Sequence, residues 1–264
     1  MRILLTLLLL LGGCAPTGDD DDTALDDDDV FGDDDDATGD DDDAAGDDDD
    51  VTGQIVQEAS GTLQTTNSAG RSGAWFLPEH TQGAPLRLVL LYHPTGGDGA
   101  SMLAGWTAAA REGGFGLVAP DSRVSPQGQY TWEVGTDPGE VTPDLTHAQD
   151  CLDEVLAMGI TASDLLAAGH SGGASSAPWI ASVDARFTHA AILHGGVFTG
   201  GLGANRPPVW LSTGEDDTAR PPAELAGHAA DLEALGFAVT NTVFPGGHGV
   251  SEDERAALLA WWSE

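Results

Sequence analysis

The sequence predicts an α/β fold, with a mostly parallel central sheet and helices on both faces. Three observations carry that expectation. After a strand-rich beginning (about 54–66 and 72–77), apolar strand-like runs alternate with helical patterns. The run Leu165-Leu166-Ala167-Ala168 is unbroken in apolar character, as a strand buried on both faces requires. Glycine-rich segments bearing polar side chains fall just past several predicted strands, where open α/β sheets build their sites.

The elements follow in order. Leu86 to Tyr92 reads as a strand, and a helix is expected near 99–112. A long connection from Pro120 to Thr142 carries Tyr130 and Trp132, which are expected to line a substrate pocket. The helix near 143–158 has Thr142 as N-cap and Pro143 at its first position. Leu145, Ala148, Leu152, Val155 and Leu156 give it one buried face, and Cys151 is expected there as a structural thiol. A strand ending near Ala168 leads to a helix over about 172–183, and a further strand ends near His194. The connection to the strand Pro208 to Thr213 has about a dozen residues, five of them Gly, which leaves no room for a sizeable lid. A helix near 222–235, a strand from Phe237 to Phe244 and a last helix over 251–263 complete the pattern. Ser251-Glu252-Asp253-Glu254 is a capping box opening that last helix.

Four segments carry the chemistry. Gly169-His170-Ser171-Gly172-Gly173 is a G-x-S-x-G motif between a strand and a helix. A sharp turn there presents Ser171 as a nucleophile, with Gly169 and Gly173 leaving room for the crowded backbone. His93-Pro94-Thr95-Gly96-Gly97 follows the strand ending at Tyr92. Backbone N–H groups of Gly172 and of this loop are the expected oxyanion donors. Pro94 has no N–H, so Thr95 is the first choice and Gly96 the next. His93 and His170 are expected beside the pocket. The strand before Gly214-Glu215-Asp216-Asp217 places an acid next to the site; the spacing Gly-x-x-Asp-x-x-x-Pro resembles the acid loop of esterases and depolymerases, which implies Asp217, with Asp216 the runner-up. Last, Gly247-His248-Gly249 sets a histidine on a loop past a strand, free to act as the base. The remaining histidines show no metal-ligand spacing, and there is no Cys cluster, P-loop or basic stripe for nucleic acid.

From about residue 60 to 264 these motifs resemble the α/β-hydrolase superfamily. The likeness is greatest to secreted esterases of the polyhydroxybutyrate depolymerase and feruloyl esterase type. It rests on His93 to Gly97, Gly169 to Gly173, Gly214 to Asp217 with Pro221, and Gly247 to Gly249. The resemblance implies a serine esterase acting on small-molecule or polyester substrates through Ser171, His248 and Asp217, without metal or organic cofactor. Dienelactone hydrolases and prolyl-oligopeptidase-like peptidases share much of the pattern. A peptidase and a non-catalytic binding module on the same fold therefore stand as alternatives.

Charge sets the rest apart. The chain has 264 residues, with 44 acids against 9 basic residues, all Arg. Residues 19 to 50 hold 20 of the Asp in five blocks of four, repeating every seven residues. From residue 54 on, 24 acids face 8 Arg, a net charge near −16. The Asp-rich stretch cannot bury a core and is expected to be a disordered, extended tether over 14–53. At most loose, multivalent calcium association is expected there. Before it, Met1-Arg2 and an apolar run from Ile3 to Leu11 end at Gly12-Gly13-Cys14. This resembles a bacterial lipoprotein signal over 1–13, with lipidation of Cys14 implied. An anchored protein outside the cytoplasm, at the outer membrane or cell surface, is the expectation, with the catalytic domain over 54–264 as a monomer. That domain has only Cys151 and so no internal disulfide.

Overall fold

The computed structural model describes residues 53–64, 71–126, 128 and 130–264, without the side chain of Tyr130. The signal, the lipidation of Cys14 and nearly all of the acidic tether lie outside the described residues. No helix among the described residues is long and apolar enough to cross a membrane.

Among the described residues, twelve strands and five α-helices follow one another. β1 (Ile55–Val56) pairs antiparallel with β4 (His80–Thr81) in a small ribbon. The main sheet has eight strands: β2 (Ala59–Thr62), β3 (Gly73–Leu77), β5 (Pro85–Tyr92), β6 (Phe115–Pro120), β9 (Thr161–His170), β10 (His189–Leu193), β11 (Val209–Gly214) and β12 (Val239–Phe244). Their order is β12-β11-β10-β9-β5-β6-β3-β2. The run from β12 to β6 is parallel, while β3 and β2 pair antiparallel at one edge. β7 (Arg123–Val124) and β8 (Tyr130–Thr131) form a hairpin within the long connection after β6. The strand-rich stretch expected over about 54–66 holds β1 and β2, which pair with different partners.

Strand order reverses between β5 and β9. From β5 the chain steps to β6 on one side, whereas β9, β10, β11 and β12 proceed outward on the other. Loops leaving the carboxyl ends of β5 and β9 therefore diverge and open a crevice, the usual place for a site in such sheets.

α1 (Gly99–Gly113) and α5 (Glu252–Trp262) cover one face of the sheet. α2 (Pro143–Leu156), α3 (Ser176–Val183) and α4 (Pro222–Ala234) cover the other. The period-two alternation of a strand explains how one segment serves both layers. Leu88 and Leu90 of β5 join the α2–α4 core, and Val89 and Leu91 join the α1–α5 core. All four are fully buried, and burial of each such side chain contributes about 1.5–3 kcal/mol.

Local signals hold at the helix ends. Thr142 Oγ1 accepts from Leu145 N at 3.2 Å, with Pro143 opening α2. Ser251 and Glu254 form the reciprocal capping box of α5. One boundary differs from expectation. The turn after β9 is a 3₁₀ turn over Ser171–Gly173, and α3 starts only at Ser176. A left-handed backbone at Ser171 cannot enter an α-helix directly, and Ala174 N closes the tight turn onto Ser171 O at 3.1 Å. Between β10 and β11 only a short 3₁₀ turn over Thr199–Gly201 intervenes, so no sizeable lid is inserted there.

Candidate active site

Ser171 stands at the carboxyl end of β9 with φ of +51°, a region that L residues rarely enter. The surroundings enforce that geometry. A Cβ on Gly169 would fall 2.3 Å from Gly173 O, and one on Gly173 would fall 2.5 Å from His93 O. Only glycine fits at both positions, so the turn folds back tightly and leaves the Ser171 hydroxyl at its apex.

His248 reaches Ser171 from the loop after β12. Its Nε2 lies 2.8 Å from Ser171 Oγ, and its Nδ1 lies 2.8 Å from Asp217 Oδ2. An Nδ1–H donated to the carboxylate leaves Nε2 with the lone pair that accepts the serine hydroxyl. The structure thus brings together all three side chains expected to react, from the ends of β9, β11 and β12. Asp217, rather than Asp216, is the acid turned inward.

Asp217 is buried and held by many donors. Oδ1 accepts the backbone N–H groups of Ala219 at 2.9 Å and Arg220 at 2.8 Å. Burial alone would raise its pKa. The Arg220 N–H, the two imidazoles of His194 and His248, and the Ala219 N–H outweigh burial and hold the carboxyl well below the usual carboxylate range. Asp217 is therefore an anion at any physiological pH.

The two residues expected to supply the oxyanion donors lie side by side. The backbones of Thr95 and Gly172 approach so closely that a Cβ on Gly172 would lie 3.0 Å from Thr95 N and 2.1 Å from Thr95 Oγ1. The loop after β5 and the turn after β9 meet here across the point of strand reversal.

The pocket residues divide. His170 lines a cavity of about 260 Å³ beside the site, together with Pro94, Met102, Trp106, Val250 and Arg255. Its Nε2–H donates to His248 O at 2.9 Å, which pins the histidine loop. Burial lowers the His170 pKa, so the ring stays neutral in that role. His93 and Trp132 differ from expectation. His93 is fully buried, with Nε2 accepting from Ser122 N at 3.0 Å and Nδ1–H donating to Pro94 O at 2.8 Å. Trp132 is 8% exposed, donates from Nε1 to His93 O at 2.9 Å, and packs edge-on against Tyr92. Both hydrogen-bond carbonyl groups of the loop that carries Thr95, and neither lines that cavity. The Tyr130 side chain lies outside the described residues. Cys151 is fully buried in α2, 3.7 Å from His147 Nε2, away from these groups.

One participant had no motif to reveal it. His194, just past β10, is 1% exposed and also has φ of +51°. Its Nδ1 lies 2.9 Å from Asp217 Oδ2, and its Nε2 lies 3.0 Å from Glu254 Oε2. The available signal was its place at a strand end before Gly195-Gly196, in register with the strands bearing Ser171 and Asp217. His194, Asp217 and His248 are the one group among the described residues whose donor atoms converge as metal ligands do. Both Nδ1 atoms sit at hydrogen-bond distance from the same carboxylate oxygen, which fits protons between them.

No protein-family model and no curated protein matches the chain. Solved structures do. FphF, a fluorophosphonate-binding serine hydrolase of Staphylococcus aureus, has a TM-score of 0.61 at 14% identity, over 79% of this chain and 100% of that one. S-formylglutathione hydrolase of the same organism has 0.60 at 13%, over 79% and 100%. Esterase PE8 has 0.54 at 19%, over 79% and 99%. At these identities the likeness is one of architecture, and with the strand order and the turn at Ser171 it establishes that this chain has the α/β-hydrolase fold.

Proposed function

We propose that the protein is a serine hydrolase of carboxylic esters. The observation that carries the reading is the hydrogen-bonded series Ser171 Oγ, His248 Nε2, His248 Nδ1, Asp217 Oδ2, with both links at 2.8 Å. In the reaction His248 Nε2 takes the Ser171 proton as Oγ attacks the ester carbonyl. The carbonyl oxygen becomes an oxyanion, facing the N–H groups of Thr95 and Gly172, each worth roughly 10²–10³ in rate. His248 then gives its proton to the leaving alkoxide, and the acyl group remains on Ser171. Water, deprotonated by His248, attacks the acyl ester; as the intermediate collapses His248 returns that proton to Ser171 Oγ and the acid leaves. Asp217 stays ionised throughout, orienting His248 and stabilising its cation.

Short-chain, aromatic or polyester-type esters are the proposed substrates. The small cavity with Met102, Trp106 and Val250 in its wall, uncovered by any inserted lid, supports that choice. We further propose that lipidated Cys14 and the acidic tether hold this domain outside the cytoplasm.

The test is Ser171→Ala in the full chain. Hydrolysis of p-nitrophenyl butyrate should fall about 10⁴-fold or more with circular dichroism unchanged. A fluorophosphonate probe should label the parent protein and not the variant. Undiminished hydrolysis in the variant would place the nucleophile elsewhere. Faster cleavage of peptide amides than of esters would make the protein a peptidase, and absence of both turnover and labelling would make it a binding module.

A further inference from the structure

Past the acid, the hydrogen-bonded series continues. Asp217 Oδ2 accepts from His248 Nδ1 on one side and from His194 Nδ1 on the other, at 2.8 and 2.9 Å. Behind His194 stands Glu254, with Oε2 at 3.0 Å from Nε2. Asp217, His194 and Glu254 are each 3% exposed or less. Two carboxylates therefore face the two nitrogens of one buried ring.

Proton counting fixes what the pair must hold: Glu254 Oε2 and His194 Nε2 share one proton in addition to the one on Nδ1. A neutral imidazole carries one N–H and so satisfies one carboxylate while turning a lone pair toward the other. A buried anion facing a lone pair is unsatisfied and costly. Glu254 has few other partners: Oε2 also accepts Ser251 N at 3.3 Å, and Oε1 is buried without one. An imidazolium donates to both carboxylates at once. Burial opposes the charge, but the bonds to Glu254 and Asp217 prevail and hold the His194 pKa above its ordinary value.

We propose that His194 is a positioning residue, a standing imidazolium clamped by Glu254 that fixes Asp217 from the side opposite His248 and sets the field at the base. The proposal rests on the esterase reading for its kinetic consequence, while its charge is argued from the two facing carboxylates and does not depend on that reading. Every described titratable group facing His194 belongs to this cluster. Asp217 comes from the turn after β11, Glu254 from α5, His248 from the loop after β12, and His170 from the end of β9. The rings of His170 and His248 each stand 5.7 Å from His194, edge to face. A cation at that distance from the base opposes a second positive charge by Coulomb repulsion. It also stops Asp217 from swinging away, because the oxygen that serves His248 is held from both sides.

His194→Gln in the full chain tests this. Its amide can still donate to Asp217, but it carries no charge. The acidic limb of kcat/KM for p-nitrophenyl butyrate should move up by about one pH unit, with KM on the plateau unchanged. A residue that merely packs would lower activity equally at all pH values. An unmoved limb overturns the kinetic part.

The charge is read directly by NMR of the imidazole nitrogens in the Ser171→Ala protein, where no turnover is needed. His194 should show two protonated nitrogens at pH 7, and Glu254→Gln should move its titration to lower pH. A neutral His194 ring at pH 7, or a titration indifferent to Glu254→Gln, overturns the proposal even if His194→Gln does not fold. Should hydrolysis not depend on Ser171, the esterase reading falls while the NMR arm still decides the charge of His194.

Discussion

Ser171 and His194 occupy equivalent places on neighbouring strands and were turned to different uses. Each directly follows its strand, β9 or β10, where His170 and Leu193 are in register. Each has φ of +51°, the only two non-glycine residues above zero among those described. Each is followed by glycine at a point of close approach. A Cβ on Gly172 would strike the Thr95 hydroxyl, and one on Gly195 would lie 1.9 Å from the Ala174 side chain. Yet Ser171 offers its hydroxyl to the crevice, whereas His194 is buried against two carboxylates. Backbone strain at a strand end thus marks a residue whose direction matters, whether it meets substrate or holds the group that does.

The sharpest way to break the comparison is to remove what the two share. Asp217→Asn supplies an amide where both imidazoles need an acceptor. We expect kcat to fall about 10⁴-fold. Circular dichroism would confirm the fold, and retained activity would show that His248 needs no oriented carboxylate.

A smaller effect tests the strand end that carries no nucleophile. Gly195→Ala drives a methyl group into Ala174 and toward Ser171 O, 2.9 Å from the new Cβ. We expect a loss of about 1–3 kcal/mol in urea unfolding, together with a lower kcat, because the turn bearing Ser171 is the part that must yield. Full stability with full activity would mean that the two turns are independent.

The smallest effect sharpens the electrostatic side. His194 has a raised pKa in the native state, so the unfolded chain releases its proton first as pH rises. Its stabilising contribution is complete below its ordinary value of about 6.5 and is lost as pH climbs through the raised native value. Asp217 runs the other way. Its contribution is complete above about 3.9 and fades only as pH falls through its depressed native value. Unfolding free energies from urea titrations should therefore decline on the alkaline side in the parent protein, with a slope of at most about 1.4 kcal/mol per pH unit. That decline should be absent in His194→Gln, and its persistence would assign it to other groups.

Much of this molecule was written along the chain. Strand runs, helix caps and the G-x-S-x-G turn are local patterns, because hydrogen bonding and side-chain alternation act over a few residues. They located the sheet, all five helices within a few residues, and the crevice where the loops after β5 and β9 meet. Ser171, Asp217 and His248 could be named because each sits in a glycine-marked segment past a strand. Trp132 was misplaced for a related reason. Sequence shows an aromatic side chain in a long loop, but not whether its N–H finds a carbonyl beneath the loop or faces a crevice.

Glu254 shows where local reading stops. Its spacing from Ser251 identifies a capping box, and the structure contains one. The same carboxylate also closes the series that begins at Ser171, 83 residues away in the chain. Sequence by itself determined the elements, their order and the chemistry available at their ends. Only tertiary packing decided that β10 and α5 would bury a histidine and a glutamate behind Asp217. Burial removes water as the alternative partner, and so it fixes how many protons the cluster must hold.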